Sequence, residues 1–248
     1  MMQTEACAAP WRLEGLKQVS VDALPRTPKR ATQQRTLDTR RKILEAAVEA
    51  FAEHGYDGVS TRTIAANAGV QHTLVTYHFS GKEGLWREAI SSILADRRTA
   101  FNARLEGLRG VDDVTKLKLI YEDFIRFAAG NPNFHRIMSH VAGTPSPQLD
   151  WLIDTFLREA FDRRAALIVS AQRIGRFVQG DPYHLEYVLI GAITRIFMLS
   201  AEVERIMGRS PYAPEFVEEH VRVCLSLFFR DPPPPAQSAS RGRNRNQK

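Results

Sequence analysis

The sequence predicts an all-α fold, on three observations. Between about residues 36 and 230, apolar residues recur at three- and four-residue spacing. No run of alternating β-branched residues competes with that period. The interruptions fall at turn residues: Gly55, Gly69, Ser80-Gly81, Gly110, Asn131-Pro132, Pro145-Ser146-Pro147, Gly180-Asp181-Pro182 and Pro211.

In chain order, Ile43, Leu44, Ala47, Val48, Ala50 and Phe51 form one apolar stripe, capped by Asp38 or Thr39 and stopped near Gly55. Ser60 or Thr61 caps a short second helix with Ile64, Ala65 and Ala68 inward. A third short helix follows from Gln71 to about His78. Leu85, Trp86, Ala89, Ile90, Ile93 and Leu94 then open a long amphipathic helix that runs to about Leu105. Further helices are expected at about 112–129, 132–142, 147–176, 182–206 and 214–229.

The flanks are different. Residues 1–35 scatter Pro10, Pro25 and Pro28 among charges, and 231–248 open with Pro232 to Pro235 and end in Arg, Asn and Gln. Both read as disordered: a leader and a Pro-rich basic tail. The chain has 248 residues and a formal net charge of +6. Each flank contributes +3, whereas 36–90 carries −1 and 91–230 carries +1. Bulk charge is therefore a poor argument for a nucleic-acid partner, and individual side chains must supply it. Cys7 and Cys224 are too few for a disulfide framework or a cysteine-based zinc site. The apolar stretch 187–199 is interrupted by Thr194 and Arg195 and falls short of a membrane span. With no secretory signal read at the N-terminus, a cytoplasmic protein without membrane contact, cofactor or metal is expected.

Function concentrates between Thr61 and Phe79, which read as two helices crossing at a tight turn. Ala65 allows the crossing, and Gly69 supplies the positive φ of the turn. Ile64, Ala68, Val70 and Val75 close a small core beneath. Gln71, His72, Thr73, Thr76 and Tyr77 then point away from it, a polar face suited to a DNA groove. Gln71 can bond adenine in two places, and Arg62 carries a fork of donors matched to guanine O6 and N7. Thr73 and His72 reach base edges or phosphates. Thr61 and, on the other side, Lys82 are placed at helix starts where phosphate binds.

These residues, with Ile43-Leu44-Glu45-Ala46-Ala47, Phe51-Ala52-Glu53-His54-Gly55-Tyr56, Thr63-Ile64-Ala65, Ala68-Gly69-Val70, Tyr77-His78-Phe79 and Lys82-Glu83-Gly84-Leu85, resemble the N-terminal domain of the TetR/AcrR family of bacterial transcriptional regulators. The resemblance covers roughly 36–90. It implies a three-helix helix-turn-helix domain in which Gln71 to His78 read the major groove and Lys82 grips the backbone. It also implies a C-terminal helical domain over 91–230 that binds an effector and dimerises. The chain departs from the family at Leu74, where a small residue is common, and at Thr76, where Tyr is common.

In the C-terminal part, Phe101, Phe124, Phe127, Phe177, Met138, Trp151 and Arg195 are candidates to line an effector cavity. The last two long helices are apolar around more than one face. Leu189, Ile193, Phe197, Val217, Val221, Cys224, Leu225 and Phe228 are therefore expected at a four-helix homodimer interface. His135, His140, Asp150 and Asp154 lack any catalytic or metal signature and read as surface residues, so no enzyme is expected. The expected partners are double-stranded operator DNA, a second copy of the chain and a small-molecule effector. The most direct reading is a repressor on a palindromic operator. An activator on the same fold, or a helical ligand-binding or adaptor protein that no longer reads DNA, are the alternatives.

Overall fold

The computed structural model describes residues 28–231, and for 28–32 and 95–106 it describes the backbone alone. The expected tails therefore lie outside the described residues, apart from 28–35 and Asp231. Helices follow in the order α1 (Pro28–His54), α2 (Thr61–Asn67), α3 (His72–Phe79), α4 (Lys82–Gly107), α5 (Asp113–Gly130) and α6 (Pro132–Ala142). After these come α7 (Pro147–Leu152), α8 (Arg158–Arg173), α9 (Pro182–Met198), α10 (Ser200–Met207) and α11 (Pro214–Phe228).

The chain divides into two units after Arg40. In the first, residues 28–35 are helical, which corrects the expected disordered leader. Asp38 and Thr39 are interior rather than capping: Gln34 Nε2 donates to Asp38 Oδ1 at 3.2 Å, and Thr39 Oγ1 donates to the Arg35 carbonyl at 2.9 Å. A hydroxyl turned back onto the preceding turn belongs to a helix already under way.

In the second unit the helix starts follow the sequence signals. Ser60, Asp112, Ser146 and Asp181 each accept a backbone N–H from the third residue on, and Pro132, Pro147, Pro182 and Pro214 sit in first turns. Two expected helices are subdivided. Segment 147–176 contains a π-helical turn over Ile153–Leu157 between α7 and α8, and segment 182–206 breaks at Leu199 between α9 and α10. One unexpected pairing closes the far end: Phe177 bridges Phe229, with Val178 N–H donating to the Phe228 carbonyl at 2.9 Å and Arg230 N–H to the Arg176 carbonyl at 3.0 Å.

Two apolar clusters fill the second unit. The first gathers Ile43, Phe51, Ile64, Val75, Leu85, Trp86 and Ile90, and continues into Phe134, Ile137, Val141 of α6 and Leu152 of α7. The second joins α5, α8, α9 and α11 through Leu117, Ile125, Ile168, Ile193 and Val221. Within the second lies a buried polar group: Tyr121 of α5 and Arg164 of α8 both donate to Glu186 of α9. Glu186 is fully buried, and the paired guanidinium and phenol satisfy its carboxylate. Burial, and then the facing Glu186 carboxylate, push the Tyr121 hydroxyl well above the ordinary phenol range.

Gly84 is dictated by space. A Cβ there would lie 2.0 Å from the Phe79 carbonyl oxygen, which the left-handed Ser80 (φ 58°) brings over the first turn of α4. Gly84→Ala is expected to lose about 3 kcal/mol of stability, read as a lower urea midpoint. On α11, His220 Nε2 donates to the Ile193 carbonyl at 3.1 Å, and burial holds its imidazole below the ordinary histidine value. Beside it, burial pushes the Cys224 thiol up to about 11. The unfolded chain takes up a proton that folded His220 resists. This stabilisation is therefore complete above about pH 6.5 and falls away as the pH drops below it. Urea unfolding at about pH 7.5 and about pH 5.5 should show the loss, and His220→Gln should remove that component.

Candidate nucleic-acid interface

The interface is built on α2 and α3. Ser60 Oγ accepts the Thr63 N–H at 3.1 Å and starts α2, which buries Ile64 and Ala65. The turn closes as predicted. Gly69 has φ 67°, its N–H reaches the Ala66 carbonyl, and the Val70 N–H reaches that of Ala65, both at 3.0 Å. A Cβ on Gly69 would meet nothing within 4 Å, so the backbone angle and not crowding demands glycine.

Gln71 occupies the cap position of α3 without a side-chain capping bond, which leaves its amide exposed. Val75 and Phe79 anchor α3 into the first cluster. Along the outer face His72, Thr73, Thr76 and Tyr77 are exposed, with Tyr77 at 77%. Arg62 is exposed on the neighbouring α2, and His78 is half-buried beside Tyr77, ring centroids 5.0 Å apart. Leu74 is half-buried and packs against the core, so it takes the inward position. Lys82, at the first position of α4, lies with Nζ 4.6 Å over the Tyr56 ring.

One contact was not expected. Thr61 and His72, read separately as a phosphate ligand and a base-edge or phosphate reader, are 2.9 Å apart from Oγ1 to Nε2. The bond joins the first residue of α2 to the first residue of α3.

A chain of aromatic contacts lies behind the face. Tyr56 stacks with Phe51 and meets Trp86 edge-on at 6.1 Å, Trp86 meets Trp151 at 5.5 Å, and Trp151 meets Phe156 at 5.6 Å. Gln148 of α7 lies near the Tyr56 hydroxyl, and Arg87 of α4 lies 5.3 Å from the Trp151 ring centre. The ring-rich composition was legible; the pairing of Trp86 with the distant Trp151 was not.

The described effector-lining candidates divide between the two clusters, although Phe124 and Phe127 both meet His135. Phe127, Met138 and Trp151 pack on the first cluster, whereas Phe124 and Phe177 belong to the second. Arg195 is exposed, because α9 turns it away from both cores, and the Phe101 side chain lies outside the described residues. A cleft of about 330 Å³ opens elsewhere, between α1, α4 and α6, over Leu44 and Val48 with Glu49, Ser92 and Asn133 at its rim. The expected dimer residues also need correction. Leu189, Ile193, Phe197, Val217, Val221, Cys224 and Phe228 are buried in the protomer's own second cluster, with Leu225 packed against it. Exposed apolar residues of the same helices include Tyr187, Val188 and Met198 on α9 and Val223 and Leu227 on α11. His135, expected at the surface, is buried among Phe124, Phe127 and Phe134, and His140 remains exposed against Gly55. Among the described residues no cluster of His, Cys, Asp or Glu suits a metal, and no helix is long and apolar enough to cross a membrane.

Residues 43–89 match the bacterial regulatory proteins, tetR family. The HTH-type transcriptional regulator RutR of Escherichia coli K12 is 28% identical over 176 residues, covering 68% of this chain and 78% of that protein. The regulatory protein RaaS of Mycobacterium tuberculosis is 47% identical over 60 residues, 24% of this chain and 27% of its own length. Among solved structures, the hemolysin II transcriptional regulator HlyIIR shares the fold with a TM-score of 0.59 at 21% identity, over 79% of this chain and 99% of that one. A TetR/AcrR family regulator from Thermobifida fusca does so with a TM-score of 0.52 at 21% identity, over 76% and 97%.

Proposed function

We propose that this chain, whose residues 43–89 match the bacterial regulatory proteins of the tetR family, is a cytoplasmic repressor of that family that binds a palindromic operator as a homodimer and is released by a small molecule. The observation that carries the reading is the outer face of α3. There Gln71, Thr73, Thr76 and Tyr77 stand free of the core, with Arg62 exposed on α2 and Lys82 at the start of α4. In this reading Arg62 and Gln71 face base edges, Thr73, Thr76, Tyr77 and Lys82 position the backbone, and Leu74 serves the core.

The homodimer reading rests on α9 and α11. They pack together through Phe197 and His220, yet leave Tyr187, Val188, Val223 and Leu227 open to solvent. Pairing these faces about a two-fold axis gives a four-helix interface. Such a dimer would set two α3 helices roughly 34 Å apart, one turn of duplex. Release follows from the shared first cluster. An effector that shifts α6 or α7 also moves α4 and α3, and by linkage its affinity must fall when DNA is bound.

Three outcomes are expected. In a gel-shift salt series on DNA upstream of the protein's own gene, Arg62→Ala should relax base preference by about 1–3 kcal/mol at one position. Lys82→Ala should weaken all sequences alike and lower the salt slope by about 1. Absence of sequence preference would sink the regulator reading. Val188→Glu with Leu227→Glu should turn a sedimenting dimer into a folded monomer that no longer holds the full palindrome. A wild-type monomer at micromolar concentration would refute the interface.

A further inference from the structure

The bond between Thr61 and His72 has a consequence for the chemistry of DNA contact. A threonine hydroxyl has one proton to give. If Thr61 spends it on His72 Nε2, only lone pairs remain to face a phosphate. If instead Nε2 carries the proton and donates to Oγ1, the Thr61 O–H is free to point outward as a donor. The other imidazole nitrogen, Nδ1, is then a lone pair in the neutral ring and a donor in the imidazolium. Two outward donors therefore coexist in one state alone, with His72 protonated.

The surroundings fit that state once DNA is bound. α2 and α4 pack against α3. α2 contributes Arg62 as its one charged side chain, and α3 contributes Tyr77 and His78 beside His72. The first turns of α4 contribute Lys82, Glu83, Arg87 and Glu88, with Glu83 paired to Arg87. Neither α2 nor α3 carries a carboxylate. An incoming phosphate favours the imidazolium.

We propose that Thr61 and His72 act as one clamp for a DNA backbone phosphate, and that closing it takes up a proton on His72. The inference rests on the DNA-reading function proposed above and adds its regulation: affinity rises as the pH falls through the histidine range. Thr61 then contacts phosphate by virtue of His72, and His72 sets the direction of its proton.

The test is fluorescence anisotropy at constant salt, with a labelled duplex selected from a random-sequence library, between about pH 8 and about pH 6. Wild-type affinity should rise towards acid, by up to about tenfold per pH unit where one proton is taken up. His72→Gln keeps a hydrogen-bonding side chain but cannot titrate, and should be flat. Thr61→Val should lose affinity mainly at low pH, Thr61→Ser should restore it, and His184→Gln, on α9 and exposed, should keep the wild-type slope. As His72 is exposed, the variants are expected to fold, and an unchanged melting midpoint checks this. Sequence-specific binding that ignores pH, or a slope that survives in His72→Gln, overturns the clamp and leaves the DNA-reading function standing. Failure to select any duplex overturns both.

Discussion

Burial of Trp86 is the contact on which the arrangement depends. It is fully buried on α4, one helix turn beyond the Lys82 position, and its ring meets Tyr56 on one side and Trp151 on the other. Through it the helices that present α3 share a core with α6 and α7, where Phe134, Ile137, Val141 and Leu152 are buried in the same cluster. Truncating such an aromatic side chain typically costs about 3–5 kcal/mol. The packing behind α2 and α3 thus includes helices that sequence reading assigned to another part of the chain.

The helices themselves were largely legible, because their signals are local. Capping residues, Pro in first turns and the positive φ at Gly69 act within a few residues of where they are read. The exposed face of α3 was legible for the same reason: Val75 and Phe79 fix which side turns inward. What escaped was whatever a distant neighbour decides. On α9 and α11 the apolar residues cover more than one face, and no period says which face meets α5 and α8 and which stays open. Ile193, Phe197 and Val221 went to the protomer's own core, and Tyr187, Val188 and Val223 did not. His135 was hidden by three phenylalanines from α5 and α6, and Arg195 was spared burial by the rotation of α9.

That rotation is held by polar groups as well as apolar ones. Glu186 is satisfied when Tyr121 from α5 and Arg164 from α8 both reach it. A turn of α9 in either direction would strand a buried carboxylate, at a cost of several kcal/mol. His220 adds a second constraint from α11, tied to the Ile193 carbonyl. Buried polar contacts of this kind add little net stability, but their directional geometry selects one packing of four helices that apolar contacts alone would leave adaptable.

The shared core also bears on how such a chain can be recombined. A segment ending near residue 90 would carry the exposed α3 face intact but would leave Trp86 without Trp151 of α7, and its cluster without Phe134, Ile137, Val141 and Leu152. The unit of exchange between regulators of this architecture is consequently larger than the sequence motif. A transplanted head must bring α6 and α7 with it, or meet a recipient whose corresponding helices already match its aromatic surface. Readily traded reading heads would require a seam without Trp86, Trp151 and Phe134 across it. This chain has instead committed its α2–α3 pair to one particular body.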